Sequence, residues 1–390
     1  MILAFVGALQ LIFALRVVRR LIQTAGGVRI EAANVPWSER VSVIVPVLNE
    51  TGRIEACLDG LVCQSESVAE ILVVDGGSSD GTQSIAKYYR ARDQRVRLID
   101  ASPVPWDWTG KAWGLYVGLK NTDSKSKWIL CIDADVSCSP MLVPSLLAHA
   151  KRTGVSTFSV ATRQQLSGLA EALLHPSLLT TLVYRFGIPG KATRNLHQVQ
   201  ANGQCFISSR DTLLRTDALR SAQLSLCEDV TLARRLAECG ETVGFYESEG
   251  LVGVRMYQGY GETWRNWPRS LPTRDQYFSW REAAGLLQVL LVQSLPLPVL
   301  FITYAQGVST WLVALNAILS LIRFGVLFGI ARAYERRPWT YWLSPLCDFP
   351  VAIRLFTSAL RRRHVWRGRV YVRGAGGTFV PLDRSKTLHR

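Results

Sequence analysis

The sequence is poor in histidine, and its cysteines are scattered. Five histidines and eight cysteines occur among 390 residues, and no two cysteines form a C-x-x-C pair. A structural zinc site or a disulfide framework needs such residues at short, regular spacings. A serine-histidine-aspartate triad also has little support when histidines are so few and dispersed. The cysteines are therefore expected to be reduced thiols in a cytoplasmic compartment.

Acidic residues are in short supply relative to basic ones. Lys and Arg number 45 against 30 Asp and Glu, which gives a net charge of +15. Such an excess suits an anionic ligand or an anionic membrane leaflet. The basic residues cluster beside apolar segments, and no nucleic-acid-binding motif is recognisable. We therefore expect a membrane, and no nucleic acid, among the partners.

The first apolar segment predicts an N-terminal membrane anchor at residues 1–22. Residues 1–15 carry no charge, and Arg16, Arg19 and Arg20 follow at once. Positive charge at one end of an apolar helix marks its cytoplasmic side. Because the apolar run is short for a full span, partial insertion or an interfacial helix remains an alternative.

The second apolar segment predicts two transmembrane helices within residues 283–330. No charged residue occurs from 283 to 322, a run long enough for two spans joined near Pro296 and Pro298 or near Gln306 and Gly307. The arginines that follow return the chain to the cytoplasmic side. The catalytic part is therefore expected to be cytoplasmic, on a bacterial inner or thylakoid-type membrane.

A third apolar stretch, residues 339–360, contains Asp348 and Arg354 and precedes three consecutive arginines. A full span would export that basic cluster, so an interfacial or re-entrant helix is favoured. Residues 361–390 are expected to form a basic cytoplasmic tail.

Between the anchors, residues 38–280 alternate strand and helix patterns. Short runs rich in β-branched residues at 41–45, 71–74, 96–99 and 128–132 are separated by helical stretches. One of these helices places apolar residues 54, 58, 61 and 62 on one face. The pattern predicts an α/β domain with a parallel sheet, whose ligands bind beyond the carboxyl ends of its strands.

The second strand ends at Asp75, before a turn-rich run that contains Ser79 and Asp80. A carboxylate at this edge can accept hydrogen bonds from a base or a ribose. Ser79 and Asp80 are more typical of helix capping than of ligand contact.

The fourth strand ends in Asp133-Ala134-Asp135. In an extended segment the two carboxylates point the same way. Such a pair suits Mg²⁺ or Mn²⁺ completed by diphosphate oxygens, although a D-x-D sequence alone is a weak signal.

Two further charged residues stand out. Lys111 follows Gly110, and a point charge beside a small residue can approach a phosphate; a solvated surface lysine is the alternative. Asp229 comes just before apolar residues with helical spacing, so helix capping is its structural alternative.

Together these motifs resemble the family 2 glycosyltransferases, whose catalytic domain has the GT-A fold. The resemblance covers residues 41–269 and rests on VSVIVPVLNE, VVDGGSSDGT, TGKAWG, CIDAD and CEDVTLARRL. It implies a mixed, mainly parallel sheet with flanking helices. It also implies a nucleotide-sugar donor and direct displacement with inversion. The implied roles are nucleoside binding by Pro46, Glu50 and Asp75, diphosphate binding by Lys111 and Asp133, metal binding by Asp135 with Asp133, and general base for Asp229, with Glu228 as the second candidate.

The acceptor side departs from the polymerising members of that family. Their Q-x-x-R-W motif is absent from residues 262–269. Arg265 or Arg269 is a candidate to neutralise the diphosphate, and Trp264 and Trp267 are candidates for the floor of an acceptor site. A single-transfer enzyme is favoured over a polymerase.

A narrower resemblance is to the bacterial carotenoid and hopanoid-associated glycosyltransferases, and more distantly to ceramide glucosyltransferase. It rests on TGKAWG, ANGQCF, CEDVTLARRL, a WRxWxRS-like run and WRGRVY. Asn202 and Gln204 of the second motif either bind the sugar or hold a loop. Leucines within residues 173–190 fit an amphipathic helix at the membrane surface and, equally, a buried core helix.

The expected function is transfer of a sugar from a UDP- or GDP-linked donor to a hydroxyl of a lipid-like acceptor, a hydroxylated carotenoid or related isoprenoid. Ceramide, another glycolipid or a hopanoid-associated lipid is the alternative acceptor. A non-catalytic nucleotide-sugar-binding membrane protein is the alternative of another class. Asp229 speaks against that alternative, because a binding module has no need of a base.

Overall fold

A computed structural model of the protein describes residues 2–34, 38–271, 276–307, 310–366 and 369–382. The strands are β1 Arg29–Ile30, β2 Val41–Val47, β3 Val68–Asp75, β4 Val96–Asp100, β5 Trp128–Ile132, β6 Val136–Cys138, β7 Thr157–Ala161, β8 Arg163–Gln164, β9 Lys191–Thr193, β10 Cys205–Ser209, β11 Val243–Ser248, β12 Val252–Val254, β13 Arg363–Trp366, β14 Arg369–Arg373 and β15 Phe379–Pro381.

The α-helices in these ranges are α1 Ile2–Ala25, α2 Ile54–Val62, α3 Thr82–Arg92, α4 Gly110–Lys120, α5 Leu142–Thr153, α6 Leu169–Phe186, α7 Arg210–Thr216, α8 Ala218–Ser221, α9 Glu228–Glu238, α10 Tyr260–Asn266, α11 Trp280–Gln288, α12 Pro296–Ala305, α13 Thr310–Gly329 and α14 Asp348–Leu360. Tighter 3₁₀ segments occur at Trp267–Ser270, Ile330–Ala333, Trp339–Cys347 and Ala375–Gly377, and a π segment at Val289–Ser294.

The main sheet has the strand order β1-β11-β7-β10-β5-β2-β3-β4, with β9 paired to β11. Strand β10 runs antiparallel to both β5 and β7. The pairs β5–β2, β2–β3 and β3–β4 are parallel. The predicted mixed, mainly parallel sheet with flanking helices is therefore confirmed. A second sheet, with the order β6-β12-β8, begins directly beyond the end of β5.

The four predicted strands all form, and the register explains why their ends matter. Val47 pairs with Asp75, and Ile44 pairs with Cys131, both between parallel strands. The carboxyl ends of β2, β3 and β5 therefore lie along one edge of the sheet. Strand β5 is buried throughout, which agrees with its continuous apolar sequence. Helix α2 buries Ile54, Leu58 and Leu61 on the predicted face.

Apolar helices lie at both ends of the chain. Ile2–Ala25, Thr310–Ala333 and Trp339–Leu360 are each long and apolar enough to cross a membrane, by length and composition. Trp280–Ser294 and Pro296–Ala305 together meet the same test but are bent by 45°. The chain thus breaks near Pro296, and again after Ala305, the two places that the sequence suggested. How these helices sit in a membrane, including the re-entrant alternative for 339–360, stays a prediction.

The C-terminal segment departs from the predicted tail. Residues 363–381 form a three-stranded sheet in the order β13-β14-β15. Its buried side chains Tyr371 and Phe379 pack against Leu226, and the backbone N–H of Phe379 donates to the carbonyl of Leu224. These few apolar residues anchor the segment beside the start of α9. Residues 383–390 of the predicted tail lie outside the described residues.

Candidate active site

A cavity of about 1170 Å³ opens at the carboxyl ends of β2, β3 and β5. It extends from Pro46 and Gly76 to the 3₁₀ segment that follows α13. Most of the residues predicted for the site line it together. These are Pro46, Glu50, Lys111, Asp133, Asp135, Asn202, Gln204, Asp229 and Trp267.

A lysine lies between two carboxylates at the centre of this cavity. Lys111 Nζ is 2.8 Å from a carboxylate oxygen of Asp133 and 2.7 Å from Oε1 of Glu228. Burial alone would lower the pKa of Lys111, but Asp133, Glu228 and Asp229 together keep it well above its usual value. Lys111 is therefore a cation within the cavity and not a solvated surface lysine. Glu228, the second candidate for the base, pairs with this lysine, and its role as a base stays a prediction.

Asp229 lies one residue inside the start of α9. Its Oδ2 accepts a hydrogen bond from the backbone N–H of Gly203 at 2.8 Å, and its Oδ1 accepts from that of Val230 at 2.8 Å. The N-cap position belongs to Cys227, so the capping alternative for Asp229 is wrong. Burial, and then the nearby Glu228 carboxylate, raise the pKa of Asp229 to about 7. A carboxylate with such a pKa is suited to accept a proton near neutral pH.

Gly203 is a site residue that the predicted set lacks. A Cβ placed on it would lie 3.0 Å from Lys111 Nζ, and 3.2 Å from both Asp229 Cβ and Glu228 Oε1. A side chain at this position would press on groups of α4 and α9, so glycine allows the close approach of the loop before β10. The ANGQCF motif contains this glycine, and its spacing alone does not show what the glycine touches.

The two carboxylates after β5 lie in a turn, not in the extended segment that we expected. Strand β5 ends at Ile132, and the backbone N–H of Val136 donates to the carbonyl of Asp133. Both carboxylates nevertheless line the cavity. Burial raises the pKa of Asp133 to about 7 and that of Asp135 to about 6.

These residues fit a hard divalent cation that is shared with a ligand. Oδ1 of Asp135 is buried and has no hydrogen-bond partner within the described ranges. In the same ranges no group of three or more His, Cys, Asp or Glu side chains converges on one point. Mg²⁺ or Mn²⁺ is commonly held by one or two carboxylates when phosphate oxygens and water complete its shell.

Asp75 ends β3 at the rim, but its side chain turns into the loop that follows. It accepts hydrogen bonds from the backbone N–H of Ser78 and from Gln83 Nε2, the latter at 2.6 Å. Val74 and Gly76 line the cavity on either side of it, whereas Asp75 does not. Asp75 thus shapes the loop at the cavity edge, and its contact with a nucleoside stays a prediction.

Asn202 and Gln204 form a hydrogen-bond network with one another. Asn202 Nδ2 donates to Gln204 Oε1 at 3.1 Å, and Thr162 Oγ1 donates to the same oxygen at 2.6 Å. The backbone N–H of Gln204 donates in turn to Asn202 Oδ1. This network supports the loop-holding alternative, although both residues line the cavity.

The four acceptor candidates within residues 262–269 do not all line the cavity. Trp267 lines the cavity and packs beside His175, with ring centroids 5.6 Å apart. Trp264 stacks on Tyr260 outside the cavity lining, and Arg265 is also absent from that lining. The side chain of Arg269 lies outside the described residues. Both tryptophans pack in the same apolar cluster, Trp267 buried within it and Trp264 partly buried against it.

Helix α6 supplies a second part of the cavity that the site prediction lacks. Five of its residues line the cavity, and we refer to them as the α6 wall: His175, Leu179, Leu182, Val183 and Phe186. Leu174 and Leu178 of the same helix are fully buried. Helix α6 packs against α1, α10, α11, α13 and α14. The buried-helix alternative is therefore the one that the structure shows.

Comparison with known proteins shows what the central domain is similar to. Residues 42–215 match the family model for Glycosyl transferase family 2. Two similar relatives are 4,4'-diaponeurosporenoate glycosyltransferases. The one from Staphylococcus haemolyticus is 25% identical over 246 residues, and the one from Staphylococcus aureus is 25% identical over 242 residues. Each match covers 60% of this chain and 61% of the relative, so the chain spans less than two thirds of their length.

A solved structure shares the fold over most of the chain. It is the mannosyltransferase PcManGT from Pyrobaculum calidifontis in complex with GDP-Man and Mn²⁺. The TM-score is 0.53 at 16% sequence identity, and the match covers 91% of this chain and 98% of the other. This similarity supports the GT-A fold assignment.

Proposed function

We propose that the protein transfers a sugar from a nucleotide-sugar donor to a hydroxyl group of a lipid-like acceptor, because residues 42–215 match the family model for Glycosyl transferase family 2. The observation that carries this proposal is the arrangement around Asp229. A buried carboxylate with a raised pKa lies in the same cavity as Lys111, Asp133 and Asp135. A base and a diphosphate site within one cavity are what direct displacement requires.

In the proposed reaction the acceptor oxygen attacks the anomeric carbon of the donor. A new carbon–oxygen bond forms as the bond from that carbon to the diphosphate oxygen breaks, and the acceptor proton passes to Asp229. A single displacement inverts the anomeric configuration. The backbone N–H groups of Gly203 and Val230 hold both oxygens of Asp229 and so fix the direction from which it accepts the proton.

The leaving diphosphate is assigned to the side of the cavity that contains Lys111. The ammonium group is already held by Asp133 and Glu228, so its position requires little reorganisation when a ligand binds. Asp135, with Asp133, would hold Mg²⁺ or Mn²⁺, which supplies positive charge to the diphosphate. Pro46 and Glu50 line the adjoining end of the cavity, where we place the nucleoside.

A hydroxylated carotenoid or a related isoprenoid is the acceptor that we favour. Relatives that carry the name 4,4'-diaponeurosporenoate glycosyltransferase support this class of acceptor. The terminal apolar helices support a membrane acceptor, because they can bring the cavity to a lipid surface. Ceramide and hopanoid-associated lipids remain the alternatives, and mass spectrometry of lipids and pigments after gene deletion distinguishes these acceptors.

The decisive experiment replaces Asp229 with Asn in the full-length protein. We expect transfer of radiolabelled sugar to membrane lipids to fall by about a thousandfold, because the amide cannot accept the proton. Binding of UDP or GDP, measured by calorimetry, should survive. Asp211→Asn is the matched control, since that side chain is 89% exposed. Unchanged transfer in the Asp229 variant would remove this residue from the reaction, and nucleotide binding without turnover in the wild type would favour the non-catalytic alternative.

A further inference from the structure

The α6 wall presents a continuous apolar surface to the cavity. His175, Leu179, Leu182 and Phe186 follow one another at intervals of three or four residues, which places them on one face of the helix. From residue 174 to the end of α6, the side chains that keep partial exposure are those of Leu179, Leu182 and Phe186. All other sides of this part of the helix are buried, so its free face is the cavity.

The imidazole at one end of the wall carries no charge at neutral pH. Nδ1 of His175 is 3.0 Å from the hydroxyl oxygen of Tyr334, and the ring lies beside Trp267. Burial lowers the pKa of His175 to about 4. The wall therefore offers its occupant carbon surface and one neutral ring, with no charge to bind an anion.

The wall connects the end of a candidate membrane span to the catalytic residues. Ile330 and Ala333, which end the apolar segment Thr310–Ala333, line the same cavity near the His175 end. At the other end, Gln200 Nε2 donates to the carbonyl of Phe186, and Gln200 precedes the loop that holds Asp229. From His175 to Phe186 the helix rises by about 16 Å.

We propose that the α6 wall is the channel for the apolar chain of the acceptor, with the chain end beside His175 and the reacting hydroxyl beyond Phe186. This inference rests on the proposed function and specifies how its acceptor is held. A sugar or another small polar acceptor would gain nothing from a wall of leucine and phenylalanine. A long hydrocarbon or isoprenoid chain gains affinity along the whole wall, because burial of apolar surface scales with area.

Photolabelling tests this channel in the full-length protein. The probe is a long-chain alcohol with a diazirine in the middle of its chain, added in nanodiscs with GDP or UDP and Mn²⁺. We expect the label in the peptide that contains residues 169–186. Leu182→Gln should reduce this labelling by about tenfold, through loss of apolar contact. Leu173→Gln is the matched control, because Leu173 is a half-buried leucine of the same helix that does not line the cavity.

Competition by unlabelled alcohols measures the length of the channel. From octanol to dodecanol we expect competition to strengthen by about fourfold per methylene. Label outside α6, no label, or equal labelling of the two leucine variants would overturn the channel. Calorimetry separates this failure from failure of the proposed function. Intact nucleotide binding without α6 labelling rejects the channel alone, whereas α6 labelling without nucleotide binding rejects the proposed function.

Discussion

The cavity has two unlike sides, and they are built in different ways. The charged wall, which comprises Lys111, Asp133, Asp135, Glu228 and Asp229, comes from loops and helix starts at strand ends, and ion pairs and backbone N–H groups hold it. The α6 wall comes from one face of one buried helix. The charged wall holds charged groups in fixed positions where charge develops during the reaction. The α6 wall offers apolar surface area. We therefore expect substitutions on the first to lower kcat and substitutions on the second to raise the KM for the acceptor.

The largest effect that we expect beyond that of Asp229 is at Lys111, the centre of the charged wall. Lys111→Met removes the cation that pairs with Asp133 and Glu228. We expect kcat to fall by about a hundredfold, because the leaving diphosphate loses a preorganised positive charge. The melting temperature should fall as well, since two partly buried carboxylates lose their partner.

Steady-state kinetics and thermal unfolding of Lys111→Met would be compared with those of Lys127→Met. Lys127 also pairs with a glutamate, Glu39, but its side chain is 60% exposed. Surface pairs of this kind contribute little, so the control should match the wild type. If the Lys111 variant instead raised only the acceptor KM, the division between the two walls would be wrong.

A smaller effect is expected from Gly203→Ala, because the added methyl group contacts residues of the charged wall. The new Cβ would approach Lys111 Nζ, Asp229 Cβ and Glu228 Oε1 at 3.0 to 3.2 Å. These groups must shift by a few tenths of an ångström, and we expect kcat to fall by about tenfold through misplacement of the base.

Gly26→Ala is the matched control for this substitution, because nothing lies within 4 Å of a Cβ at that glycine. Both variants would be assayed for sugar transfer at saturating acceptor. A Gly203 variant with wild-type kcat would mean that the loop before β10 yields freely and does not position Asp229.

The charged wall was largely predictable from sequence, because its residues follow buried strands or open a helix. Asp133 and Asp135 needed only the end of β5 to be recognised, although the turn between them was not anticipated. Gly203 was not predictable in the same way. Its role depends on the approach of α4 and α9 to one loop, and residues far apart in sequence determine that approach.

The α6 wall and the C-terminal sheet show where sequence patterns stop being informative. Leucines recur on every side of α6 because the helix is buried, so their spacing does not reveal which face meets a cavity. Likewise, Trp264 and Trp267 are three residues apart and pack in the same apolar cluster, and their spacing does not reveal that only Trp267 of the two lines the cavity. In residues 363–381 the apolar contacts are few, and the basic composition obscured a strand pattern.

The smallest effect that separates the two walls is the dependence of the reaction on pH. The pKa of Asp229 is raised to about 7, so the base is charged above that pH and protonated below it. We therefore expect kcat to fall about twofold between pH 8 and pH 7, and about fivefold between pH 7 and pH 6. The acceptor KM should stay constant over the same range, because the α6 wall contains no acid and His175, with a pKa of about 4, remains neutral.

Measurement of both constants from pH 6 to pH 8 tests this difference between the two walls. An acceptor KM that changed with kcat would show that a titrating group takes part in holding the chain, and the separation of charge from apolar area in this cavity would no longer stand.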